Sequence, residues 1–126
     1  MTSDHVTADS HLPLPYSPSF ASGGLLFVSG QASVDETGAI VPDTFKGEML
    51  RSFANLSRIL GEAGLDFSDI VQVRSYVRRP ENIDEYNAIY RELFNKPYPA
   101  RTTLTGCLPD TIQFEVDVIA RVKSTV

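Results

Sequence analysis

The chain has 126 residues, 42% of them hydrophobic, which is enough for one domain whose core needs neither metal nor disulfide. Eleven basic residues against sixteen acidic give a formal net charge of -5, a field that repels nucleic acid unless a basic patch is segregated; only Arg74, Arg78 and Arg79 offer one. No apolar run approaches the roughly 18 to 20 residues of a membrane span, and a lone Cys107 with two histidines makes neither an internal disulfide nor a recognisable zinc pattern.

Residues 1–14 mix polar residues with Pro13 and carry His5 and His11 without periodicity, so a partly ordered arm is expected before a domain over 15–126. Met1-Thr2-Ser3-Asp4-His5 lacks the basic and apolar regions of a secretory signal, which predicts a cytoplasmic protein. Pro15-Tyr16-Ser17-Pro18 reads as a turn. Leu25-Leu26-Phe27-Val28, bounded by Gly23-Gly24 and Gly30, reads as a buried strand ending at Ser29-Gly30-Gln31, and residues 32–43 as a loop.

From Thr44 to Ala63, Phe45, Met49, Phe53, Leu56, Leu60 and Ala63 recur at helical spacing; Asp43 or Thr44 can cap the start and Gly64 the end. Between Asp69 and Arg78 the residues Val71, Val73, Ser75 and Val77 alternate with Gln72, Arg74, Tyr76 and Arg78, a strand with unlike faces. Asn82-Ile83-Asp84-Glu85 has capping-box spacing and opens a second helix with Ile83, Tyr86, Ile89, Tyr90 and Leu93 on its apolar side. Pro97 and Pro99 stop that helix, and strands follow over 100–106 and 112–122. The order β, β, α, β, α, β, β predicts an α+β fold, a two-layer sandwich of a mixed sheet with two helices on one face.

In the last strand Phe114, Val116, Val118, Ala120 and Val122 share the face that packs under the helices, leaving Glu115, Asp117, Ile119 and Arg121 on the other. Arg101, Thr103 and Thr105 point to one side of their strand, and Gln72, Arg74 and Tyr76 to one side of theirs. The expectation is a single polar sheet face carrying Arg74, Arg101, Glu115 and Asp117. Such a face is either solvated, as antiparallel sheets commonly are, or buried between subunits with clefts where an arginine and a carboxylate meet a small ligand. No nucleophile-plus-base arrangement, phosphate loop or metal cluster competes with it.

Pro15-Tyr16-Ser17, Leu26 to Gln31, Tyr86-Asn87-Ala88-Ile89-Tyr90, Pro99-Ala100-Arg101, Leu108-Pro109 and Phe114-Glu115-Val116-Asp117 together resemble the RidA family in order and spacing, over about residues 6–122. The resemblance implies a chorismate-mutase-like fold and a homotrimer whose sheets pack into a central barrel, with sites in the clefts between subunits. It also implies cofactor-free hydrolysis of reactive imines and enamines. Within it, Arg101 would bind the substrate carboxylate, where a guanidinium fork matches the two oxygens. Glu115 would position the attacking water, and Tyr16 and Ser29 would shape the pocket. Asn87 matches a frequent family residue, with a ligand contact and a structural role in its helix both open.

The sequence departs from the family at points that bear on the pocket. Thr103 stands where many members have cysteine, and a threonine hydroxyl there can hydrogen-bond a substrate but not act as a thiolate. The segment from Arg101 to Leu108-Pro109 is one residue short, and Cys107 does not take the missing cysteine's place. Leu14 and Pro18-Ser19-Phe20 also differ. The expected function is deamination of 2-imino or enamine acids to 2-oxo acids and ammonium, with no metal, cofactor, nucleic-acid or membrane partner. The alternatives are a sister enzyme for an aminoacrylate or 2-aminomuconate type of enamine, and a non-catalytic ligand-binding or chaperone-like trimer.

Overall fold

Two glycines with positive φ, Gly23 at 62° and Gly24 at 80°, close a two-residue turn between β1 (Ser19–Ser22) and β2 (Leu25–Ala32), the backbone geometry a tight hairpin requires. The computed structural model describes residues 14–123; the arm expected over 1–14, with His5 and His11, lies outside them except for Leu14. Helix α1 (Phe45–Glu62) begins where the Thr44 hydroxyl accepts from the Gly47 amide at 3.1 Å and ends at Gly64, whose φ of 75° lets the Leu65 amide reach back to the Leu60 carbonyl. Then follow β3 (Ile70–Val77), α2 (Ile83–Leu93), β4 (Ala100–Thr105) and β5 (Phe114–Arg121).

The five strands form one sheet in the order β1-β2-β5-β3-β4, antiparallel throughout except for β3 and β4, which run parallel because α2 carries the chain back across the sheet. Both helices cover the same face. Leu26, Val28, Val73, Val77, Phe114, Val116 and Val118 from the sheet meet Met49, Phe53, Leu56, Leu60, Tyr86, Ile89 and Tyr90 from the helices in one core. The α+β sandwich expected from the element order is thus the observed architecture, with β5 at the centre of the sheet.

Three local expectations are corrected. A bulge between Ile70 and Gln72 makes Ile70, not Val71, the buried residue at the start of β3, so the alternation holds only from Gln72 onward. Asn82 precedes α2, but its side chain caps nothing, because a 3-10 turn over Pro80–Asn82 already supplies the first bonds. Strand β2 is not buried on both sides: Leu26 and Val28 face the core while Phe27 is exposed, and the strand runs past a second bulge to Ala32.

The largest correction concerns β4. In the parallel ladder Arg101 pairs with Val73, Thr103 with Ser75 and Thr105 with Val77, all residues of the buried, helix-facing side. Paired residues share a face. Arg101 and Thr103 therefore stand on the helix side, and the open face expected to hold Arg74, Arg101, Glu115 and Asp117 holds all but Arg101. Ala100, Thr102 and Leu104 complete it instead.

Candidate active site

The open face, β1, the turn at Pro15–Pro18 and the loop after β2 enclose a concavity of about 950 Å³. Its polar end is made by Tyr16, Ser29, Glu115, Asp117 and Arg74, and its apolar wall by Phe20, Phe27, Ile40 and Ile112. The turn is held there by Ser29, whose amide bonds the Pro18 carbonyl at 2.9 Å and whose hydroxyl donates to the Ser17 carbonyl at 2.6 Å. That places Tyr16 at the rim and leaves the Ser29 oxygen with lone pairs for a ligand donor.

Glu115 lies half-buried in the floor. A Cβ on Gly30 would lie 2.3 Å from one Glu115 carboxylate oxygen, so the glycine is what admits the carboxylate at this depth. Burial, and after it the charge of Asp117, raises the Glu115 pKa above the ordinary glutamate value. Asp117 is itself engaged: Arg74 Nε donates to one oxygen at 2.9 Å and the Tyr76 hydroxyl to the other at 2.7 Å. Tyr76 is pushed up to about 12 by burial and by that carboxylate, so it remains a neutral donor across the physiological range. Among the described residues no hydrogen-bond donor reaches the Glu115 carboxylate, which is left to bind water or ligand.

Arg101 is elsewhere. Its guanidinium carbon lies 4.8 Å from the ring centroid of Tyr86 and 4.7 Å from that of Tyr90, both on α2. Two residues on, the Thr103 hydroxyl meets the Tyr86 hydroxyl at 3.1 Å. Asn87 is half-buried on the same helix, next to Tyr86. The structure thus gathers Tyr16, Ser29 and Glu115 on the open face, and Arg101 and Thr103 at the β4–α2 edge on the helix side, with Asn87 on α2. The two groups do not converge within one chain.

Sequence reasoning missed several contributors. Gly30, which bounds the apolar run Leu25 to Val28 in the sequence, lies inside β2, and a glycine inside a strand is itself a signal of close approach. Tyr86 and Tyr90 belong to the core, as their spacing on the apolar side of the helix predicts, and also carry Arg101. Ile40 and Ile112 lie in loops without periodicity, and nothing in the sequence pointed to them. Of the basic trio, Arg74 pairs with Asp117 and Arg78 with Asp110, an ordinary charged strand and its edge. Cys107 is exposed after Gly106. Among the described residues no group of three or more His, Cys, Asp or Glu is placed to hold a metal ion, and no helix is long and apolar enough to cross a membrane.

Comparison with known proteins gives the family and the fold. The sequence pattern of the family described as endoribonuclease L-PSP matches residues 10–122. The chain belongs to this family, the RidA family. Among its relatives, the RutC family protein YjgH of Escherichia coli is 38% identical over 109 residues, 85% of this chain and 82% of that one. A 2-iminobutanoate/2-iminopropanoate deaminase of Dermatophagoides farinae is 27% identical over 111 residues, covering 86% and 87% of the two chains. The crystal structure of YyfA of Yersinia pestis, a protein of the conserved Rid family, superposes with a TM-score of 0.81 at 29% identity, over 88% of this chain and 90% of that one. Imine deaminases therefore occur in the RidA family to which this chain belongs.

Proposed function

We propose that this RidA-family chain hydrolyses 2-imino acids, and the enamines that tautomerise to them, to 2-oxo acids and ammonium, in sites shared between the copies of a homotrimer. The observation that carries the reading is Glu115, a half-buried carboxylate of raised pKa with no protein donor among the described residues, at the floor of an open concavity that a small acid can enter. A protonated imine is positively charged at the reacting end. Among the described residues that line it, Glu115 and Asp117 outnumber the one cation, Arg74, and give the floor the sign that attracts it.

Glu115 holds a water and takes its proton as the oxygen bonds to the imine carbon and the C=N electron pair moves to nitrogen. The resulting carbinolamine receives that proton on nitrogen. The C–N bond then breaks as the hydroxyl loses its proton and becomes the oxo group, and the departing ammonia takes up that proton as ammonium. No nucleophilic side chain is needed, because the substrate carbon is already electrophilic and orientation supplies the rest.

The substrate carboxylate requires a cation, and Arg101 is the residue whose chemistry fits. On the helix side of the sheet it cannot meet a ligand above the Glu115 of its own chain. In the trimer that we propose, the β4–α2 edge of one copy meets the concavity of the next and the two half-sites close together.

The test offers purified protein imines generated in place from several amino acids and follows 2-oxo acid release against the uncatalysed rate. Arg101→Ala should lose at least about tenfold in kcat/KM, since hydrogen bonds to charged groups contribute roughly 1.5 to 3 kcal/mol. Glu115→Gln should lower kcat by roughly 10² to 10⁴ with a smaller change in KM. Parent-like rates for folded Arg101→Ala remove the main support. No turnover by the parent with any imine leaves a ligand-binding trimer as the better account.

A further inference from the structure

We propose that Tyr86 and Tyr90 are positioning residues for anion capture, their ring faces forming a shelf that holds the Arg101 guanidinium; this rests on the reading of Arg101 as the carboxylate-binding residue. Strand β4 is an edge strand, and Arg101 on it is exposed. A long exposed side chain ordinarily samples many rotamers and loses that freedom on binding. Here two rings confine it.

Tyr86 and Tyr90 are four residues apart and so share one face of α2, with ring centroids 5.8 Å apart. Both are buried, and neither ring can swing away: Tyr90 stacks on Phe94 at 4.5 Å between centroids, and Tyr86 packs on Phe114 at 5.9 Å. The guanidinium lies within the roughly 6 Å reach of cation–π attraction of both rings. That attraction uses the ring faces and consumes none of the five N–H donors of the arginine. Among the described residues no carboxylate or carbonyl accepts from them, so the fork is held in place yet unspent.

The hydroxyls point the same way. The Tyr90 hydroxyl is buried and has no hydrogen-bond partner among the described residues, an arrangement that costs free energy and that a phenylalanine would avoid. What Tyr90 offers Arg101 is its ring face, 4.7 Å from the guanidinium carbon. The Tyr86 hydroxyl contacts Thr103, two residues along β4 on the same face, and so ties the strand segment bearing Arg101 to the helix bearing the shelf.

The experiment replaces Tyr90 with phenylalanine as reference and then with ring-fluorinated phenylalanines of increasing fluorine count, with a second series at position 86. Each fluorine weakens the negative ring face while leaving the shape nearly unchanged, which keeps the buried packing intact. KM for the imino acid should climb stepwise, by roughly threefold to tenfold over a series, while kcat stays within about twofold. In an Arg101→Ala background the same series should be flat. A KM indifferent to fluorination, in a protein whose Arg101→Ala variant does show a raised KM, overturns the shelf and leaves the reading of Arg101 standing. If Arg101→Ala itself leaves KM unchanged, the site assignment fails, and the shelf with it.

Discussion

Burial, and behind it the charge of Asp117 two residues along β5, favours the protonated form of Glu115 in the folded chain. Its folded pKa lies above the unfolded one, so Glu115 contributes stability below the ordinary glutamate pKa and loses that contribution as pH rises through the folded value. Glu115→Gln, which keeps the shape without the charge, should therefore melt higher than the parent at pH 8 and no higher at pH 4. Thermal melts at the two pH values decide it, and an equal difference at both would contradict the burial argument. Activity runs the opposite way, because the base of the proposed mechanism must be ionised: kcat/KM, which reports the free protein, should fall on acidification with a midpoint above the roughly 4.3 of an ordinary glutamate. Gly30 governs the same carboxylate by space alone. An alanine Cβ would stand 2.3 Å from a Glu115 oxygen and 3.1 Å from Cδ, and the end of a flexible side chain can yield where backbone cannot. Gly30→Ala should stay folded by circular dichroism and lose roughly tenfold or more in kcat, since a carboxylate displaced by about 1 Å no longer aligns its water.

Helix α1 is joined to the entry of β5 through Glu48, which is buried and accepts from the Gln113 amide at 3.0 Å, the Gln113 side chain at 2.9 Å and the Asp43 amide at 3.3 Å. Glu48→Ala strips partners from buried donors and should cost about 1 to 3 kcal/mol, read as a lower denaturant midpoint at unchanged slope. This joint also sets Ile112, next to Gln113, at the rim of the concavity. The sequence made the helices and β5 legible because their apolar periods are unbroken: Phe45 to Leu60 at helical spacing, Phe114 to Ala120 at every second residue. It did not reveal which way β4 faces. Ala100 to Thr105 contains no alternating apolar set, and an edge strand takes its parity from its neighbour's register, here Val73 opposite Arg101. Val71 misled for a related reason, since a bulge shifts parity without leaving a mark in composition. Residue type and family resemblance single out Arg101 and Glu115 as candidates, and neither carries a sign that the two stand on opposite faces of the sheet.

Across the whole molecule the open face of the sheet is less polar than alternation implied. Phe20, at 67% exposed, and Phe27 and Leu104, each at 42%, stand on it beside Ile119. Apolar side chains spread over one sheet face favour burial against other copies. A clean monomer mass by light scattering at micromolar concentration would sink both the assembly and the shared site. The sharper measurement mixes subunits. Arg101→Ala lacks the anion fork but keeps Glu115, and Glu115→Gln lacks the base but keeps Arg101, so each homotrimer should be crippled. Unfolded together in equal amounts and refolded, random assortment places an intact Arg101 against an intact neighbouring Glu115 in about a quarter of the sites. Imine hydrolysis should then recover to about a quarter of the parent rate, with the mixed trimers separated by charge to verify exchange. Mixed trimers no more active than the average of the two variants would contradict a site built from Arg101 of one copy and Glu115 of the next.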